Sequence, residues 1–125
     1  VFDDNDAIEI VRQDAADYLN IKLGKSGGIH TALKINAIAE STGKKCMIGC
    51  FGESRLALSA AAHLAMARPN IYFIDLDSAL DFKADPVLGG LVYSNAIGGL
   101  ITLEDCPGHG ARFDESCLHD RFVIT

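Results

Sequence analysis

Asn20-Ile21-Lys22-Leu23-Gly24-Lys25-Ser26-Gly27-Gly28 is the stretch on which the reading of this chain turns. Tyr18, Leu19 and Ile21 suit a buried strand, Lys22 stands at its carboxyl end, and a glycine-rich turn leads into residues 29–42, whose apolar spacing is helical. A lysine between Ile21 and Leu23 is costly in a strand without a task, so Lys22 is expected to face a ligand as an acid/base group.

Working outward, Asp3 to Asp6 offer an N-cap and first-turn acids for a helix that places Ile8, Val11 and Ala15 on one face and ends near residues 14–17. The helix over 29–42 has Ala32, Leu33, Asn36 and Ala39 as its inner stripe and Gly43 as its stop. Residues 45–50 form a second strand, Ser54 caps a third helix over 55–68 that Pro69 halts, and 71–76 form a third strand. Alternating strands and helices with short links predict a parallel sheet with right-handed crossovers.

The spacing says more. Lys22, Gly49 and Asp75 mark successive strand ends 27 and 26 positions apart, the size of one unit of a (β/α)8 barrel. Three such units and one leading helix cannot close eight strands. The expectation is therefore an α/β fold that is the C-terminal portion of a larger barrel, over residues 1–85. A loop is expected over 79–90, and residues 86–125 are expected to be a β appendage that belongs to a capping domain: a hairpin over 91–103 broken at Ile97-Gly98-Gly99, and an extended tail whose apolar Phe122-Val123-Ile124 ends in a strand.

Composition narrows the partners. With 125 residues, 49% hydrophobic and 22% charged, the chain can bury a real core, and its net charge of -6 with no Lys/Arg run argues against nucleic acid and acidic membranes. No apolar run is long enough to span a bilayer, and the opening Val1-Phe2-Asp3-Asp4 does not resemble a signal peptide, so a cytoplasmic setting is expected. Reduced thiols follow for Cys46, Cys50, Cys106 and Cys117. Cys46 and Cys50 read as small apolar strand residues; Cys106-x-x-His109 and Cys117-x-His119 lack the usual spacing of structural zinc.

Reacting groups of such barrels sit at strand carboxyl ends. Lys22, Glu53, Asp75 and Asp77 meet that condition. Period-two alternation puts Asp75 and Asp77 on one side of an extended segment, where two carboxylates suit a cation: a ligand ammonium or a metal. Glu53, just before Ser54, has a competing role in favouring the helix dipole. Gly24-Lys25-Ser26 mimics the end of a phosphate loop, but Leu19 stands where its first glycine belongs.

These residues resemble the C-terminal part of the enolase superfamily barrel, in its muconate-lactonizing subgroup and among the dipeptide epimerases of the L-Ala-D/L-Glu type. The resemblance runs to about residue 108 through the opening stretch, Cys46-Met47-Ile48-Gly49-Cys50-Phe51-Gly52-Glu53-Ser54 and Ile74-Asp75-Leu76-Asp77-Ser78. It implies that Lys22 is the sixth-strand member of two acid/base lysines that exchange the α-proton of a dipeptide. It also implies that Glu53 and the Asp75/Asp77 pair are seventh- and eighth-strand substrate contacts, the pair clamping the free amino group. A Mg²⁺ that stabilises an enediolate is implied too, its ligands on strands three to five and so outside this chain; no metal ligand is assigned here. The resemblance makes the parent a dipeptide-processing isomerase and the fragment alone inactive or nearly so. Cycloisomerisation or dehydration on the same fold is the rival enzyme reading, against which Asp75-x-Asp77 argues. A non-catalytic half barrel is the other rival. In either case exposed sheet edges call for an N-terminal half of the barrel or for self-association as a homo-oligomer.

Overall fold

Two short hydrogen-bonding patterns start the chain. Asp3 accepts the Asp6 N–H (2.9 Å) and Asp6 accepts the Phe2 N–H (2.9 Å), which satisfies amides that the first turn of α1 (Asp4–Arg12) leaves unpaired. The computed structural model describes residues 1–94 and 98–117. After α1 come β1 (Tyr18–Ile21), a single turn α2 (Leu23–Ser26), α3 (Ile29–Ser41), β2 (Lys45–Ile48), α4 (Arg55–Met66) and β3 (Ile71–Ile74). The three strands are parallel in the order β1-β2-β3, with Leu19 opposite Cys46 and Ile21 opposite Ile48.

One face of this sheet carries the core. Leu19, Ile21, Cys46 and Ile48 are buried, as are Ala32, Ile35 and Ala39 of α3 and Leu58, Ala61, Ala62 and Ala65 of α4. The alanines let helix backbones approach the strands closely, and each large core side chain contributes about 1.5–3 kcal/mol. Asn36 and Asn70 are buried as well; the Asn70 amide donates to the Lys44 carbonyl (3.2 Å), which removes the cost of an unpaired polar group. On the opposite face Tyr18 and Phe73 remain about half exposed, their rings 5.1 Å apart.

Several expectations change in detail. The inner side of α1 is Ala7 with the half-buried Ile10 and Val11, while Ile8 and Ala15 are exposed; the helix stops at Arg12, and Asp14 takes a left-handed φ of 49°. Lys44, hydrogen-bonded to Asp14 at 2.6 Å, holds that carboxyl below its ordinary range and ties the end of α1 to the start of β2. Ile35 replaces Leu33 in the inner stripe of α3. Ser54 occupies the N-cap position of α4 without a side-chain cap bond. The strands end at Ile21, Ile48 and Ile74, short of the expected residues; α2 begins at Leu23, directly beyond Lys22 at the end of β1.

The expected loop over 79–90 contains a 3-10 turn (Ser78–Asp81) and β4 (Val87–Gly89), which pairs antiparallel with β7 (Ala111–Phe113) of the expected tail. Between them β5 (Val92–Tyr93) and β6 (Ile101–Thr102) form the expected hairpin. The proposed final strand at 122–124 lies outside the described residues. Among the described residues no helix is long and apolar enough to cross a membrane.

Candidate functional site

Lys22 is fixed by backbone before its side chain is considered. Its extended conformation (φ −126°, ψ 115°) closes β1, and its carbonyl accepts the Lys25 and Ser26 N–H groups, each at 2.9 Å, as α2 begins. The half-buried side chain runs over Gly49 and donates from Nζ to the Cys50 carbonyl at 2.7 Å. Gly49 permits this passage. A Cβ there would stand 2.8 Å from Asn20 Oδ1 and 3.3 Å from Lys22 Cε. Asn20 shares the face of β1 with Lys22, two positions apart, and its buried Oδ1 has no hydrogen-bond partner among the described residues.

From Cys50 the site continues to the acids. Its thiol, 8% exposed, donates to Asp77 Oδ1 at 3.5 Å, and the sulfur and one oxygen from each of Asp75 and Asp77 all lie within 4.8 Å of one another. The alternation expected for Asp75-Leu76-Asp77 holds: Leu76 is buried at 2% exposure and both aspartates are exposed. Asp75 N–H donates to the Ile48 carbonyl (2.9 Å), extending the ladder one residue beyond β3. Tyr93 Oη donates to the Leu76 carbonyl at 2.5 Å, and burial, with Cys50 and Asp77 adding to it, pushes the Tyr93 phenol up to about 12, so it remains a donor at neutral pH.

Glu53 stands to one side. Its backbone exchanges two hydrogen bonds with Ser78 Oγ (3.1 and 3.0 Å), which ties the end of β2 to the end of β3. Its carboxylate accepts the Phe51 N–H (3.3 Å) and faces Gly24, and it is not part of the group formed by Cys50, Asp75 and Asp77. Lys25 lies over the Phe51 ring, 5.5 Å from its centroid. Cys106 Sγ donates to the Glu104 carbonyl (3.7 Å) and His109 Nδ1 accepts the Ala111 N–H (3.2 Å), both local backbone bonds; His119 lies outside the described residues.

Two carboxylates beside one thiol can hold a cation, but the set does not suit Mg²⁺, which takes oxygen ligands in octahedral array. An ammonium group suits it better, through charge-assisted hydrogen bonds to two exposed carboxylates. Among the described ion pairs none involves Asp75 or Asp77. The acids border a cavity of about 440 Å³ whose other walls include Leu80, Tyr93, Leu100 and Ile101. A groove of about 460 Å³ between α3 and α4, lined by Ile29, Leu33, His63 and Leu64, lies on the helix side and contains none of the strand-end residues.

Residues 1–117 match the family described as "Enolase C-terminal domain-like". The chain belongs to that family. It is 50% identical over 91 residues to the hydrophobic dipeptide epimerase of Enterococcus faecalis, covering 72% of this chain and 26% of that protein. It is 46% identical over 110 residues to the L-Ala-D/L-Glu epimerase of Clostridium acetobutylicum, covering 88% and 30%. The dipeptide epimerase of Cytophaga hutchinsonii, solved with Mg and D-Ala-L-Val, superposes with a TM-score of 0.88 at 39% identity over 94% of this chain and 32% of that one. This enolase-family chain therefore spans less than a third of the length of these relatives.

Cys50, Tyr93 and Asn20 were not legible as site residues from sequence. Cys50 reads as an apolar strand residue. The available signal was its position directly after Gly49, at the same strand end as Lys22.

Proposed function

We propose that the complete protein epimerises the α-carbon of a dipeptide by 1,1-proton transfer, and that this chain supplies strands six to eight of its barrel. The observation that carries this reading is the convergence at one end of the sheet: Lys22 Nζ on the Cys50 carbonyl, and the Cys50 thiol on Asp77. A substrate ammonium held between Asp75 and Asp77 sets the near end of the dipeptide at a fixed distance from Lys22. Lys22 Nζ takes the α-proton, the C–H electron pair stays on carbon, and a second group on the opposite face returns a proton. That second group belongs to the part of the protein outside this chain.

An α-hydrogen beside a carboxylate is too weakly acidic for an amine alone, and Mg²⁺ is the cation that supplies the missing positive charge when bound. Its ligands would come from outside this chain, since Cys50, Asp75 and Asp77 are the wrong donor set. Glu53 is proposed as a contact to the substrate from the Phe51 and Gly24 side of the mouth. The exposed edges β1 and β3 and the half-exposed Tyr18 and Phe73 are the surfaces on which the remaining barrel strands close, so the isolated chain is expected to be inactive.

The experiment is exchange of the dipeptide α-proton for deuterium by the complete protein, followed by NMR. Lys22→Met should reduce exchange at least 10³-fold from one epimer, and Asp77→Asn should raise KM for dipeptides with a free amino group. Wild-type exchange by Lys22→Met would remove the lysine from the mechanism, and an unchanged KM in Asp77→Asn would remove the clamp.

A further inference from the structure

Asp75 and Asp77 are two like charges close together, and among the described residues the only hydrogen bond to either carboxylate is the Cys50 thiol on Asp77. That one weak bond touches Asp77 alone, so the common direction of the two side chains rests on the backbone between them. That backbone is held by the C-terminal extension. The Leu76 side chain is buried, and its carbonyl takes the Tyr93 hydroxyl at 2.5 Å from 17 residues further along the chain. Tyr93 in turn is part of an anchored segment. Arg55, at the start of α4, donates to the carbonyls of Val87, Gly89 (2.9 Å) and Leu91 (2.8 Å) and pairs with Asp85, while the buried Leu91 N–H donates to Ser59 Oγ at 2.9 Å.

We propose that Tyr93 is a positioning residue for ammonium recognition: its hydroxyl fixes the Leu76 carbonyl and thereby the direction in which Asp75 and Asp77 meet the substrate. The β extension of residues 87–94 and 98–113 is on this basis part of the substrate site, although it contributes no strand to the parallel sheet. The proposal rests on the dipeptide reading above. A phenol-to-carbonyl hydrogen bond has a net worth corresponding to about a three- to tenfold change in an equilibrium constant.

The test is Tyr93→Phe in the complete protein, made alone and together with Asp77→Asn. Tyr93→Phe should raise KM for a free-amino dipeptide about three- to tenfold with kcat within about twofold, and that rise should be smaller in the Asp77→Asn background, where only Asp75 is left to be oriented. Amide hydrogen exchange at residues 75–78 should speed up in Tyr93→Phe by a similar factor while amides of β1 and β2 keep their rates. An unchanged KM in Tyr93→Phe, with Asp77→Asn still impaired, overturns the role of Tyr93 and leaves the dipeptide reading intact. Equal effects of Tyr93→Phe with and without Asp77, or unchanged exchange at residues 75–78, overturn it as well. A wild-type protein that epimerises no dipeptide overturns both.

Discussion

Gly49→Ala is the most discriminating single change at this site, because it adds one methyl group where Asn20 and Lys22 cross β2. The added Cβ would meet Asn20 Oδ1 at 2.8 Å, Asn20 Nδ2 at 3.3 Å and Lys22 Cε at 3.3 Å. The atoms in the way are ends of flexible side chains, so the fold can yield. The stability cost should fall at the low end of overpacking, about 1 kcal/mol. The chemistry should not be spared. Restoring ordinary contact moves the Asn20 amide and the Lys22 stem by several tenths of an ångström, and Nζ loses its alignment on the Cys50 carbonyl, now 2.7 Å away. Misplacement on the order of 1 Å costs about 10²-fold in rate, so kcat for dipeptide epimerisation should fall roughly 10- to 100-fold. Deuterium incorporation at the α-carbon measures the rate, and urea unfolding measures stability. A variant that exchanges at the wild-type rate would refute the idea that the path of Lys22 over Gly49 sets its position; loss of folding would refute the claim that the strain is absorbed by side chains.

Other changes test the supports of the site. Arg55→Met leaves the carbonyls of Val87, Gly89 and Leu91 without their donor and should cost roughly 3 kcal/mol, seen as a lower urea midpoint and early proteolysis within residues 82–113. Gly90→Ala, at φ +75° and with the Ser59 hydroxyl and Ala111 Cβ (2.7 Å) where the methyl would go, should destabilise by about 2–4 kcal/mol in the same assay, well beyond Gly49→Ala. Thiol labelling at pH 8 should reach the exposed Cys117 first and Cys46 only on unfolding, since burial, reinforced by Glu40, raises the Cys46 thiol to about 11 and leaves roughly one thiolate in a thousand. Cys50, facing Asp77, should be protected from the same reagent by bound dipeptide, as followed by mass spectrometry of the labelled peptides.

The sequence by itself determined the order of strands and helices, the parallel sheet, and the placement of Lys22, Asp75 and Asp77 at strand ends. Those features rest on short-range periodicities of 3.6 and 2 and on nearly equal spacing, all of which a linear reading contains. Even there the reading overshot each strand; at β1 the next residues are taken by the first turn of α2, whose Leu23 and Ser26 are buried. Only the tertiary structure decided that the Cys50 thiol meets Asp77, that β4 pairs with β7, that Arg55 holds Val87 to Leu91, and that Tyr93 holds Leu76. These bonds join residues 17 to 36 positions apart. They depend on where whole elements come to rest, and residue type and local spacing have no term for that.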